Sequence, residues 1–200
     1  SIRALVKDRI FVGYTACLCL SLGAMFVFMS GGALIFIDTM GLTPSQFGAI
    51  FFAMAPAFSL ASFLTGSISG RVGPKNLFCF ATLCTLAGTL ILFGLGLSGP
   101  LTLHIAIPAL TLVTFGLGFI MPLCFSGALA PYPHLAGTAS SIIGFLQASF
   151  SGLAGILVAA AYSGSAAPVM GLMLLLMVSS ALVFATVLRP VMNQPTTVKI

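Results

Sequence analysis

Two carboxylates, Asp8 and Asp38, and two histidines, His104 and His134, are the acids and imidazoles of this chain, and their spacing serves no familiar catalysis. Asp8 stands between Lys7 and Arg9 ahead of the first apolar run, and Asp38 lies at the far end of that run. No carboxylate pair, His/Cys/Asp cluster, nucleophile elbow or phosphate loop can be assembled from the remainder. Cys17, Cys19, Cys79, Cys84 and Cys124 show no metal-ligand spacing and read as buried thiols. An enzyme working inside a membrane would bury an acid, a base or a ligand set. None is expected here, nor any metal or cofactor. What the chain offers instead is neutral polarity at helical spacing. The stretch Ala136 to Gly155, AGTASSIIGFLQASFSGLAG, carries no charge and is built mostly of Ala, Gly, Ser and Thr. Ser140, Gly144, Ala148 and Gly152 recur every four residues along it and form one stripe. Lipid tails are as apolar as leucine, so helices in a bilayer associate through close contact at small residues, and this stripe is expected to be gripped by another helix. Gln147 places an amide in mid-span, where it needs a partner or a wet cavity.

The elements that carry these residues are membrane spans. The chain is 60% hydrophobic and 4% charged, against about 25% charged in soluble proteins. A span needs about 20 mostly apolar residues, and no Lys, Arg, Asp or Glu occurs between Asn76 and Leu188. Turn residues divide the chain: Ser98-Gly99-Pro100, Pro131-Tyr132-Pro133-His134 and Ser163-Gly164-Ser165. Six helices follow, roughly Ile10 to Phe36, Ser45 to Gly70, Leu77 to Leu97, Leu101 to Leu123, Gly137 to Tyr162 and Pro168 to Leu188. Thr43-Pro44-Ser45-Gln46 marks the second start with a capping Thr, a first-turn Pro and a Gln three residues after the cap. Barrel strands would alternate over about ten residues, and nothing here alternates. The expectation is an all-α membrane protein forming one six-helix bundle.

With six spans, both termini share one side with the loops at Arg71 to Lys75 and Pro131 to Ala136. All seven basic residues (Arg3, Lys7, Arg9, Arg71, Lys75, Arg189 and Lys199) then fall on that side. The positive-inside rule makes it the cytoplasm. The net charge of +5 is thus a topology signal with some attraction to anionic membrane lipid, and no nucleic-acid partner is expected. The first apolar segment is too long for a cleavable signal.

Gly66 to Asn76, GSISGRVGPKN, resembles the cytoplasmic signature of the major facilitator superfamily at Gly66, Arg71, Gly73 and Lys75, with Gly70 where an Asp would stand and Pro74 replacing a basic residue. Gly66 and Gly70 are expected to let helices approach, and Arg71 to sit by a helix C-terminus whose dipole favours a cation. MSGGALIF, GLTPSQFGAIFF and PHLAGTASSIIGFLQASFSG extend the likeness to the C-terminal six helices of bicyclomycin-resistance-type drug/proton antiporters. The resemblance implies two groups of three helices in an inverted repeat, half of a twelve-helix exporter in a bacterial inner membrane. Ser30-Gly31 and Gly48 recur as Ser126-Gly127 and Gly144 at one offset.

In that arrangement the first, second, fourth and fifth helices face the cavity or the other half, and the third and sixth face lipid. Helical phase then proposes a substrate lining of Tyr14, Cys17, Ser21, Met25 and Phe28, with Phe51 and Met54, with Thr114, Phe115 and Gly118, and with Gln147 and Ser151. Such a wall suits a small hydrophobic, drug-like substrate with a few hydrogen-bonding groups. Pro108 and Pro122 would loosen the fourth helix. The resemblance places the proton-coupling carboxylate in the N-terminal half, so the expected partner is that half or a second copy of this chain. A non-transporting scaffold or inactive relic is the competing reading. Opening on Ser1 fits a fragment, and fits removal of an initiating methionine equally.

Overall fold

The computed structural model describes residues 5, 7–98, 102–162 and 164–192. Arg3, Lys199, the Gly99-Pro100 turn, Leu101 and Ser163 lie outside them. The described residues form helices and no strands, and six helices are long and apolar enough to cross a membrane. They are α1 (Arg9–Ala33, continued by a π-helical turn Leu34–Thr39), α2 (Pro44–Val72), α3 (Pro74–Ser98), α4 (Leu103–Leu129), α5 (Ala136–Ala161) and α6 (Ala167–Val183, continued through Phe184–Leu188 to Arg189–Met192).

Local chemistry sets the helix ends. Asp8 caps α1 by accepting the Ile10 N–H at 2.9 Å. At the start of α2, Gln46 N–H donates to Thr43 Oγ1 at 3.2 Å and Thr43 N–H donates to Gln46 Oε1 at 2.9 Å, a reciprocal capping box. Gly73 alone separates α2 from α3. Its φ of +84° is a conformation that a side chain strains, and its N–H donates to Ser69 O at 3.0 Å. Within the spans, Thr65, Thr82, Thr111, Thr114 and Ser140 each donate a hydroxyl to the carbonyl one turn earlier. That is the nearest available acceptor in hydrocarbon.

The core runs along α1 and α4. In their most apolar stretches 50% and 56% of residues are buried, against 17% for α2 and 22% for α5. α1 packs on α4, α5 and α6; α4 packs on α1, α2 and α3; and α3 meets α6. Exchanging α1 with α4, α2 with α5 and α3 with α6 maps this pattern onto itself. Exchanged helices lie three spans apart and so run in opposite directions, which makes the relation an inverted repeat.

Close approaches occur at glycines on α3 and α4. A Cβ on Gly88 would lie 2.7 Å from Ala109 O, and one on Gly116 would lie 2.7 Å from Ala81 O, so α3 and α4 grip each other reciprocally. A Cβ on Gly118 would lie 2.6 Å from Phe58 O on α2. At the same crossing, Ser62 Oγ donates to Gly118 O at 3.0 Å. Pro122 has no N–H for that carbonyl four residues back, so a side chain of α2 supplies the bond that α4 lacks.

Two readings of the small residues are corrected. The stripe Ser140, Gly144, Ala148 and Gly152 is exposed, and a Cβ at Gly144 or Gly152 would meet nothing within 4 Å. Among the described residues no helix grips it, because α5 turns Ala139, Ile143, Ala154 and Val158 inward instead. Gly66 and Gly70 are likewise open. The motif glycine with a visible structural task is Gly73. Nor does α6 face lipid alone: Met170, Met173, Leu176, Met177 and Ser180 are buried, while Leu175 and Leu182 are exposed.

Candidate functional site

Near the middle of the bundle, α1, α2 and α4 diverge around a groove of about 260 Å³. Leu22 and Met25 line it from α1, Phe51, Met54, Ala55, Phe58 and Ser59 from α2, and Thr114, Leu117 and Met121 from α4. Each helix contributes residues one turn apart, as a shared face requires. Three thioethers and two phenyl rings make the wall soft and polarizable, able to adapt to ligands of different outline. Thr114 donates to Leu110 O at 2.8 Å, so toward the groove its hydroxyl oxygen offers acceptor capacity only. Away from the basic loops, Phe28, Phe36, Phe47 and Phe51 close the α1–α2 seam as a ring cluster, with centroids 5.5 Å apart for Phe28–Phe51 and 5.2 Å for Phe47–Phe51.

Of the proposed lining, Met25, Phe51, Met54 and Thr114 come together in this groove. The others lie elsewhere. Phe28 is fully buried in the ring cluster. The Tyr14 ring lies directly over Gly127 on α4. Cys17 and Ser21 face α6, where Cys17 Sγ donates to Ser180 O at 3.4 Å and the Ser21 and Ser180 hydroxyls pair at 3.0 Å. This knot satisfies polar atoms that lipid could not. Gly118 is at the α2 crossing. Phe115 packs edge-on against Phe119 at 5.1 Å, on the α3 side of α4. Ser151 is buried, and the Gln147 amide nitrogen is buried without a hydrogen-bond partner. Both positions lie near the α5 face that meets α1.

Phase alone missed Leu22, Ala55, Phe58, Ser59, Leu117 and Met121. The signal was present for Phe58, one turn beyond Met54, and for Met121, one turn beyond Leu117. What was lacking was the angle at which α2 leaves α1.

Two hydroxyl contacts hold the ends of α5 to α1. At the basic end, Tyr132 Oη donates to Asp8 Oδ2 at 2.6 Å. The accepting carboxylate favours the neutral phenol and holds its pKa above the usual value. At the other end, Tyr162 Oη donates to Leu34 O at 3.3 Å and pairs with Thr39 Oγ1 at 2.9 Å.

An inverted pair of three-helix groups around a mid-membrane groove is an architecture found in membrane transporters, and the chain is an integral membrane protein with six apolar spans. It is 29% identical over 145 residues to the uncharacterized MFS-type transporter YdgK of Bacillus subtilis, across 72% of this chain and 35% of the relative. It is 29% identical over 168 residues to a bicyclomycin resistance protein homolog of Haemophilus influenzae, across 82% of this chain and 41% of that protein. The aligned region thus spans about two fifths of the curated relatives or less, and the chain fits a half-length domain of the major facilitator type. No family model and no solved structure matches it.

Proposed function

We propose that this chain is the C-terminal half of a drug/proton antiporter that exports hydrophobic, drug-like compounds from a bacterial cell. The observation that carries the reading is the groove between α1, α2 and α4, whose Met25, Met54, Met121, Phe51 and Phe58 surround it with apolar, deformable surface and leave Ser59 and Thr114 as polar points. The open faces of α2 and α5 support a second six-helix unit beside it, since in the bundle these two helices pack chiefly on α4 and α1.

The test uses the purified chain in detergent and a panel of hydrophobic antibiotics and dyes. The parent is expected to bind some of them. Ala55→Trp, which fills the groove from an exposed small position, is expected to weaken binding by about tenfold or more, equivalent to about 1.4 kcal/mol. Leu153→Trp on the outer face of α5 should leave binding intact. No binding to any of the panel, or equal binding by all three proteins, would support the scaffold reading instead.

The proposed orientation puts both termini in the cytoplasm, supported by Lys7, Arg9, Arg71, Lys75 and Arg189, all at helix ends on one side of six alternating spans. Cysteine probes applied from outside should label positions near Asp38 and Ser165 and miss positions near Lys75 and His134. The opposite pattern would invert the topology.

A further inference from the structure

Outside the central groove, the face of α1 at its basic end lies between two more grooves. One, of about 710 Å³, runs between α1 and α6 and is lined by Val12, Gly13 and Ala16 on one wall and Val183, Val187 and Val191 on the other, with Lys7 and Arg9 at its end. The other, of about 470 Å³, runs between α1 and α5 and includes Phe11, Thr15, Cys19, Ile142, Leu146 and Phe150. Val12 and Ala16 line both, so they form a ridge with an apolar trough on each side and two cations at one end.

Asp8, although between those cations in sequence, is turned away. Its Oδ1 accepts the Ile10 N–H and its Oδ2 the Tyr132 hydroxyl, and it is not part of the groove wall. The α1–α5 trough spans Phe11 to Leu20 along α1 and the α1–α6 trough spans Val183 to Val191 along α6, roughly 12 to 14 Å each, which is close to the roughly 15 Å hydrocarbon depth of one leaflet. Thr15 adds a second, separate observation. It is 4% exposed and its hydroxyl has no hydrogen-bond partner, yet it lines the α1–α5 trough roughly 9 Å in from Arg9. A buried hydroxyl in hydrocarbon calls for an acceptor, and a carbonyl ester just below a headgroup is one.

We propose that this ridge seats one anionic phospholipid, its phosphate on Lys7 and Arg9, an ester carbonyl on Thr15, and one acyl chain in each trough. Two troughs match a two-chain lipid, and two cations with no carboxylate in the wall select a negative headgroup over a zwitterionic one. The inference depends on the membrane setting of the bundle and is independent of any transported substrate.

Native mass spectrometry of the full chain released from detergent provides the test, with dioleoyl phosphatidylglycerol, dioleoyl phosphatidylcholine and glycerol 3-phosphate added separately. One phosphatidylglycerol per chain should be retained, phosphatidylcholine roughly 30-fold more weakly, from two basic contacts, and glycerol 3-phosphate not at all. The double substitution Lys7→Gln and Arg9→Gln, at exposed positions, should reduce phosphatidylglycerol to the phosphatidylcholine level. Arg71→Gln, a cation at the same end but outside the groove, should not. Ala16→Phe, which obstructs both troughs and leaves the charges, should lower retention of both lipids. Equal retention of the two lipids, retention indifferent to Lys7 and Arg9, or an equal loss with Arg71→Gln would overturn the proposal.

Discussion

Gly116→Leu and Gly118→Leu are each expected to destabilise the chain severely, while Gly144→Leu and Gly152→Leu leave its thermal unfolding in detergent unchanged. A Cβ on Gly116 would lie 2.7 Å from Ala81 O and 2.6 Å from Thr85 Cγ2; one on Gly118 would lie 2.6 Å from both Phe58 O and Ala61 Cβ. The obstructing oxygens belong to helix backbones, which cannot rotate aside, so α3 or α2 would have to move away from α4 as a whole. Overpacking of a filled core costs about 1 to 3 kcal/mol, and a leucine adds three more carbons beyond the one that already collides. Gly116 and Gly118 also anchor two different neighbours, so either change detaches one side of the core. Gly144 and Gly152 face open space, and leucine has the higher helix propensity there. The measurement is the unfolding midpoint of the four purified variants. Equal losses at Gly144 and Gly116 would refute the placement of the α5 stripe. In a complete transporter the outcome should differ, because a neighbouring unit seated on α5 would meet the new side chain at Gly144, and export should fall although the isolated chain stays folded.

The second large effect concerns protons. Reconstituted alone in liposomes with an imposed pH gradient, the chain is expected to move no drug above the protein-free leak. Proton coupling needs a group in the membrane interior that exchanges its proton with both faces, commonly a carboxylate. Asp8 is at the basic end, engaged by the Ile10 amide and the Tyr132 phenol. Asp38, His104 and His134 are exposed at helix ends or in a loop. The central groove is lined by thioethers, rings, aliphatic groups and two hydroxyls, none of which titrates near neutral pH. Gln147 can hold a polar group of a substrate but cannot exchange a proton. Gradient-dependent movement by the chain alone would sink the assignment of coupling to another half. If that movement were lost in Asp38→Asn, a homodimer using Asp38 would take its place.

The six spans were legible because they follow from amounts. Sixty per cent apolar residues with the charges kept to the ends of the apolar runs leave a chain no other solvent than lipid, and a backbone in lipid must close its hydrogen bonds within helices. The capping box at Thr43 and Gln46 was legible for a related reason, since both partners lie within one turn. Local spacing also picked out Met25, Phe51, Met54 and Thr114, which line one groove. It failed at Tyr14, Ser21 and Phe28, which share a helical face on paper but meet α4, α6 and a phenyl cluster in turn, because α1 is surrounded by packing partners along its length.

The small residues show the boundary most clearly. A repeat of Ser140, Gly144, Ala148 and Gly152 says that a helix can be approached closely, and it does not say from where. Gly116 and Gly118, two positions apart and therefore on different faces of α4, give no stripe at all, yet at each an added Cβ would collide with a backbone oxygen of a neighbouring helix, α3 at Gly116 and α2 at Gly118. Periodicity along one helix records the shape of that helix's surface. Which surface is covered depends on the crossing angles and on the presence of a second unit, and those are set by how whole helices fit together across the bundle.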